Sequence, residues 1–177
     1  PDDLAGISAC FSPGVSTVAH FEEELAGRGI KCFLADASVD APPVSSDLFD
    51  FERKFLGAEA GGDYITLQDW VSRKAPDAGD MILQMDIEGA EYRVILSTDS
   101  ETLRRFRILV IEFHNLASIY DRMGLDLVSL TFAKLREGFE SVHIHPNNRI
   151  RPIMFKQSET PPLLEFTAAA SLLSQPT

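Results

Sequence analysis

The stretch Met81-Ile82-Leu83-Gln84-Met85-Asp86-Ile87-Glu88-Gly89-Ala90-Glu91 constrains the fold of this chain most. An apolar run ends on an acid, a second acid follows, and after a glycine a helix-forming run opens with a third acid. A short run that is apolar almost throughout belongs to a strand covered on both faces. The acids that follow therefore mark the carboxyl end of a buried strand. Gly6–Phe11, Lys31–Ala35 and Arg107–Phe113 have the same strand-like form. Helical patterns lie between them, and strands alternating with helices over short connections imply a mostly parallel, doubly wound sheet.

The remaining elements follow from periodicity and turn chemistry. Ser16 or Thr17 can cap a helix running to about Ala26, with Val18, Phe21 and Leu25 on its apolar face, and Gly27 and Gly29 end it. Phe49–Leu56 has β character and Tyr64–Thr66 reads as a short edge segment. Thr66 or Asp69 caps a helix that includes Leu67, Trp70 and Val71. Ala90–Leu96 and Glu101–Phe106 are helical, and Leu127–Phe139 is an amphipathic helix. No helix separates the strands at Ser141–His145 and Leu163–Thr167, so they are expected to form an antiparallel edge hairpin. Pro152–Phe155 fits neither template, and the tail after Ala170 is expected to fray.

Charge and composition exclude some partners. With 27 acidic and 16 basic residues the net charge is −11. That balance disfavours nucleic acid, whose phosphates demand clustered cations, and an anionic membrane surface. No apolar run is long enough for a membrane span. Cys10 and Cys32 both lie in apolar runs and read as buried, reduced thiols, which points to the cytoplasm. The whole of residues 1–177 is expected to form a single domain. The chain begins at Pro1 and reaches its first strand almost at once, so an upstream segment is expected to be missing.

Parallel strands carry their carboxyl ends to one rim, where ligands of open α/β sheets collect. Polar residues recur at those ends: Ser12 and Gly14, Asp36, then Asp86, Glu88 and Glu91, then Glu112 and His114, then His145, Asn147 and Asn148. Gly14 followed by Asp36 fits nucleotide binding, because the glycine admits the ligand to the backbone and the acid receives ribose hydroxyls. It equally fits a plain turn with an acid capping a loop. Glu91 can also serve the following helix by sitting at its positive end. Glu112 and His114 point to one side of their strand, as do His143 and His145. Imidazole titrates near working pH, so His114 or His145 is the candidate base. No dense metal-ligand spacing such as H-E-x-x-H occurs, so no metal is expected.

The residues Leu83–Glu91 resemble the D-x-E-G-x-E signature of FkbM-type methyltransferases. Thr66-Leu67-Gln68-Asp69-Trp70 resembles the T-L-D-x-W/L segment that precedes it, and Leu109–His114 and Leu163–Thr167 resemble two later strands. The resemblance runs in order from about Gly6 to Thr167. It implies an α/β, Rossmann-like class I methyltransferase fold, with seven strands of which the last is antiparallel, and S-adenosylmethionine as cofactor. Ser12–Ser16 would then hold the methionine end of the cofactor, Asp36 its ribose, and Asp86 would lie by the methyl group. The acceptor would be a hydroxyl on a sugar, glycan or small natural product. From their convergence at the rim, Asp86 is expected to orient cofactor or acceptor, Glu112 to hold the acceptor or orient a base, His114 or His145 to remove the proton, and Glu88, Glu91, Asn147 and Asn148 to contact the acceptor. Phe-Ser-Pro-Gly-Val at residues 11–15 departs from the fuller acidic, glycine-rich motif of that family. Two other readings stand beside this one. One is a non-catalytic nucleotide-binding scaffold. The other is a metal-dependent hydrolase or transferase built from Asp86, Glu88, Glu112, His114 and His145.

Overall fold

The computed structural model describes residues 3–147 and 151–171. Strand β1 (Ala9–Pro13) leads through helix α1 (His20–Gly27) to β2 (Lys31–Ala35) and β3 (Phe49–Glu52). Two short strands follow, β4 (Phe55–Leu56) and β5 (Tyr64–Ile65), then α2 (Leu67–Lys74) and β6 (Met81–Met85). Helices α3 (Glu91–Ser97) and α4 (Ser100–Arg104) precede β7 (Phe106–Phe113). A 3-10 turn (Leu116–Tyr120) and α5 (Arg122–Leu135) lead to β8 (Phe139–Pro146), β9 (Ile153–Phe155), β10 (Ser158–Thr160) and β11 (Leu164–Ala170).

Seven strands form one sheet in the order β3-β2-β1-β6-β7-β11-β8. The first five are mutually parallel, and β11 runs antiparallel to both β7 and β8. This is the α/β, mostly parallel sheet with antiparallel strands at its C-terminal edge that the sequence implies. The last strand inserts between β7 and β8, leaving β8 at the edge. Chain order reverses between β1 and β6, and a crevice opens at such a switch point beyond the strand ends. The residues that follow those two strands are Gly14 and Asp86.

Alternation along each strand divides the core in two. Phe11, Phe33, Leu83, Leu109 and Ile111 face α2 to α5, where Trp70, Ile95 and Leu135 pack. Cys10, Cys32, Leu34 and Ile82 face α1 through Leu25 and Ala19. Burial on both faces explains why these strands are largely apolar rather than alternating. Phe11 lies 4.9 Å from Trp70 and 6.0 Å from Phe106, edge-on to each. Cys10 and Cys32 are register partners on adjacent strands, free and buried, and burial pushes the Cys10 thiol well up.

Helix α2 starts where its cap implies, with the Thr66 hydroxyl accepting from Asp69 N at 3.1 Å. Helix α5 starts at Arg122, five residues before its apolar period becomes legible, because Asp121 caps it by accepting from Gly124 N at 2.9 Å. Helix α1 departs from expectation. It begins at His20, its N-cap Ala19 makes no side-chain cap, and Val18 (61 % exposed) and Phe21 face outward. Glu22 is buried instead, drawn in by the Ser12 hydroxyl. A polar pair across the α1–sheet interface thus overrides the helical apolar period. Pro152–Phe155, ambiguous in the sequence, contributes β9 to an antiparallel pair with β10. Among the described residues, no helix is long and apolar enough to cross a membrane.

Candidate active site

The loop after β1 turns on Gly14, at φ +87°. A Cβ there would stand 1.6 Å from the Asp86 carbonyl oxygen, so only glycine lets the ends of β1 and β6 approach this closely. Ser16 follows at φ 45°, and its N–H donates to Asp36 Oδ2 at 2.9 Å. Asp36 Oδ1 accepts from both the backbone N–H (2.8 Å) and the hydroxyl (2.6 Å) of Ser38. Asp36 therefore braces two loops at once. Ser12 is fully enclosed, its hydroxyl set between the Glu22 carboxylate and the Gln84 side-chain oxygen, the latter at 2.7 Å.

Two cavities open on this rim. One, of about 330 Å³, is walled by Asp36, Ser38, Phe55, Leu56, Tyr64 and Ala90. The other, of about 370 Å³, is walled by Thr17, Val18, His20, Phe21, Glu22 and Gln84. Gly14, Ser16, Asp86 and Glu88 line both, so the cavities share a seam at the ends of β1 and β6.

Behind the seam lies a charged cluster. Glu91 is wholly buried, and its Oε1 accepts from Ile87 N and Gly89 N at 3.1 Å each. His114 Nδ1 meets the same oxygen at 3.0 Å. His114 Nε2 lies 3.4 Å from Glu88 Oε2 and 3.7 Å from Asp86 Oδ1. Burial alone would lower the His114 pKa, but the hydrogen bond to Glu91 and the charges of Glu91, Asp86 and Glu88 outweigh it and bring it to about 9. Burial, seconded by the Glu112 carboxylate, pushes Asp86 up to about 6. Burial would also raise Glu91, yet its bonds to His114 and the Gly89 amide hold it below the ordinary range.

The expected site residues thus separate into groups. Gly14, Asp36, Asp86 and Glu88 line the cavities, whereas Glu91 stands behind His114 rather than on an open surface. Glu112 Oε1 accepts from Asn147 Nδ2 at 2.8 Å, joining β7 to the loop after β8. His145 shares the lip but not the cluster. It is in register with Glu165, itself opposite Glu112, so it stands two strands out on exposed edge strand β8. It stacks on His143 with centroids 6.1 Å apart. Asn148 lies outside the described residues. Sequence reading missed His20, Gln84, and the wall formed by Phe55 and Tyr64, whose rings lie 5.6 Å apart. That wall depends on a parallel pairing of two residues with two, too short to leave a periodic signal.

Residues 63–140 match the methyltransferase FkbM domain. The match covers the segment from just before β5 to the start of β8, including the D-x-E-G-x-E stretch and the His114 strand. No curated protein matches the chain. Solved structures similar to it include N-methyltransferase NodS from Bradyrhizobium japonicum WM9, at 10% identity and TM-score 0.47, covering 93% of this chain and 86% of that one. Another is the human methyltransferase 10 domain containing protein, at 10% identity and TM-score 0.47, covering 97% and 74%. Both TM-scores lie below one half, and neither likeness bears on what this chain binds.

The shifted groups carry a stability prediction. His114 is a base whose folded pKa, about 9, lies above its ordinary 6.5. Its contribution is complete below 6.5 and is lost as pH rises through 9. Asp86 is an acid whose folded pKa, about 6, lies above its ordinary 3.8, so ionising it costs stability as pH rises from 3.8 through 6. Both act in one direction. Thermal unfolding followed against pH should show stability declining across each window, with the upper step worth about 2 to 3 kcal/mol. His114→Gln should remove the upper step; a variant that keeps it would assign that step to another group.

Proposed function

We propose that this chain is an S-adenosylmethionine-dependent methyltransferase acting on the hydroxyl of a sugar, glycan or small natural product. The observation that carries this reading is the pair of cavities that meet at Gly14 and Asp86. A group-transfer enzyme needs donor and acceptor held in line at one point, and such positioning supplies much of the acceleration.

The residues of the first cavity suit the cofactor. Gly14 lines the cavity where the ends of β1 and β6 meet, and a turn of bare backbone there suits the methionine end. Asp36 accepts three hydrogen bonds from the protein, and a carboxylate has about four lone-pair sites, leaving capacity for a ribose hydroxyl. Phe55, Leu56 and Tyr64 offer an apolar wall for adenine. Asp86 and Glu88 give the seam a negative potential that suits a sulfonium. The cofactor supplies a methyl group activated by that positive sulfur.

The second cavity suits a neutral polyol. Thr17, His20, Glu22 and Gln84 line it, and no Lys or Arg is among its described lining residues. An anionic acceptor would find no counter-charge there. Asp86 accepts a hydrogen bond from the attacking hydroxyl, and Glu112, fixed by Asn147, stands behind Asp86. His114 is not the base in this reading, because the surrounding carboxylates hold its proton in place; His145 is too far along the edge to serve. Incubation with a methyl-labelled donor and a panel of sugars, glycosides and polyketide alcohols should give label on oxygen. Binding of the cofactor without transfer to any of these classes would favour the scaffold reading, as would a panel in which only amines are labelled favour a different acceptor class.

A further inference from the structure

We propose that Gln84 turns its amide oxygen into the second cavity and there selects acceptors that carry a further hydroxyl beside the one methylated. The direction of the amide follows from counting donors and acceptors; the selection rests on the methyltransferase reading. Strand β6 reads Met-Ile-Leu-Gln-Met, and Gln84 is its one polar residue and the one not fully buried. A polar side chain in a strand covered on both faces needs a partner at each end of its amide. One end meets the Ser12 hydroxyl at 2.7 Å. The other has no partner among the described residues and is not enclosed by protein. The cavity that Gln84 lines is the second one.

The Ser12–Glu22 pair decides which end faces that cavity. Ser12 is fully enclosed and Glu22 only 3 % exposed, so their contact is held inside the fold. The Ser12 hydroxyl has one proton, and the Glu22 carboxylate, which can only accept, takes it. An amide oxygen against the same hydroxyl would set two acceptors together with no proton between them. The two ends of an amide have the same shape, and the hydrogen-bond network decides between them. Half a turn brings Nε2 to Ser12, where it donates to a free lone pair of the hydroxyl. The carbonyl oxygen then faces the cavity. Bonds to a charged group are the strong ones, so the carboxylate fixes the hydroxyl and the hydroxyl fixes the amide.

Asp86 lines the same cavity two residues further along the chain. Two residues of extended backbone span roughly 7 Å. A molecule whose reacting hydroxyl lies at Asp86 therefore reaches Gln84 with a group one or two carbons away. Against an amide oxygen that group must donate. The neighbouring hydroxyls of a sugar ring meet the requirement. A deoxygenated or etherified neighbour leaves the amide oxygen without a partner once the ligand has displaced water.

Nuclear magnetic resonance of the whole, ligand-free chain tests the direction of the amide. The two Gln84 Nε2 protons should show contacts to the Ser12 β protons. Absence of those contacts, with both protons exchanging freely with water, overturns the proposal. Selection is read with methyl-labelled S-adenosylmethionine and methyl glycosides, each beside counterparts lacking one hydroxyl other than the one methylated. Wild type should favour the parent over at least one counterpart by about 10- to 100-fold in kcat/KM. Gln84→Met, similar in length but without the amide, should lose that preference through KM rather than kcat. A preference unchanged in Gln84→Met, or no glycoside methylated by a chain that binds S-adenosylhomocysteine, overturns the selection. A chain that binds no S-adenosylhomocysteine while its Gln84 protons contact Ser12 contradicts the methyltransferase reading and upholds the amide direction, so the two failures are told apart.

Discussion

Asp86→Asn should lower kcat/KM for methyl transfer by about 100- to 1,000-fold while leaving the protein folded. Asparagine keeps the shape of the side chain but removes the negative charge at the seam and the capacity to draw a proton from the acceptor. The change should not destabilise the fold. Burial and the neighbouring Glu112 push Asp86 up to about 6, so it is ionised at neutral pH at a cost to the folded state. Neutralising it relieves that cost, and the melting temperature should hold or rise. Opposite movement of activity and stability is the signature of a residue kept for function rather than for folding. The readings are steady-state kinetics with a working acceptor and a thermal melt on the same sample. Unchanged kcat/KM would remove Asp86 from the site.

Gly14→Ala should be the most damaging single methyl addition in the described structure near the site. The new Cβ would stand 1.6 Å from the Asp86 carbonyl oxygen and 2.7 Å from its carbon, both backbone atoms that have no rotamer to move into. The backbone at φ +87° adds left-handed strain for any residue with a side chain. Together these should cost about 3 kcal/mol or more, because β1 and β6 must part at the rim. For a chain of this size that is a fall of about 6 to 12 °C in Tm. The comparison is Gly27→Ala, at the end of α1, where an added Cβ meets nothing within 4 Å and no left-handed strain arises. It should be neutral or stabilising by up to about 1 kcal/mol. Equal melting temperatures for the two variants would show that the close approach at Gly14 is not required.

Much of the sheet was legible because burial on both faces writes a largely apolar run into each central strand. Met81–Met85 and Phe106–Phe113 are such runs, and the acid after the first marked the rim correctly. What escaped was set by contacts distant in sequence. The Ser12–Glu22 pair turned α1 away from the face that Val18 and Phe21 proposed. The wall of Phe55 and Tyr64 depends on a pairing of two residues with two. His145 has the same local pattern as His114, and only the insertion of β11 between β7 and β8 separates them. Sequence spacing places residues on a lip but not at a distance along it. Glu91 read as a rim acid at the positive end of its helix; its enclosure follows from three hydrogen-bond donors, Ile87 N, Gly89 N and His114 Nδ1, that converge only once β6 and β7 are paired.

The central claim is that the seam beside Gly14 binds an adenosyl sulfonium cofactor. Isothermal calorimetry of the intact chain with S-adenosylmethionine and S-adenosylhomocysteine tests it most directly. One site with a Kd of about 100 µM or tighter is expected for each, weakened in Gly14→Ala. Absence of binding heat and of any thermal shift at about 1 mM ligand, in a folded sample, would contradict the claim.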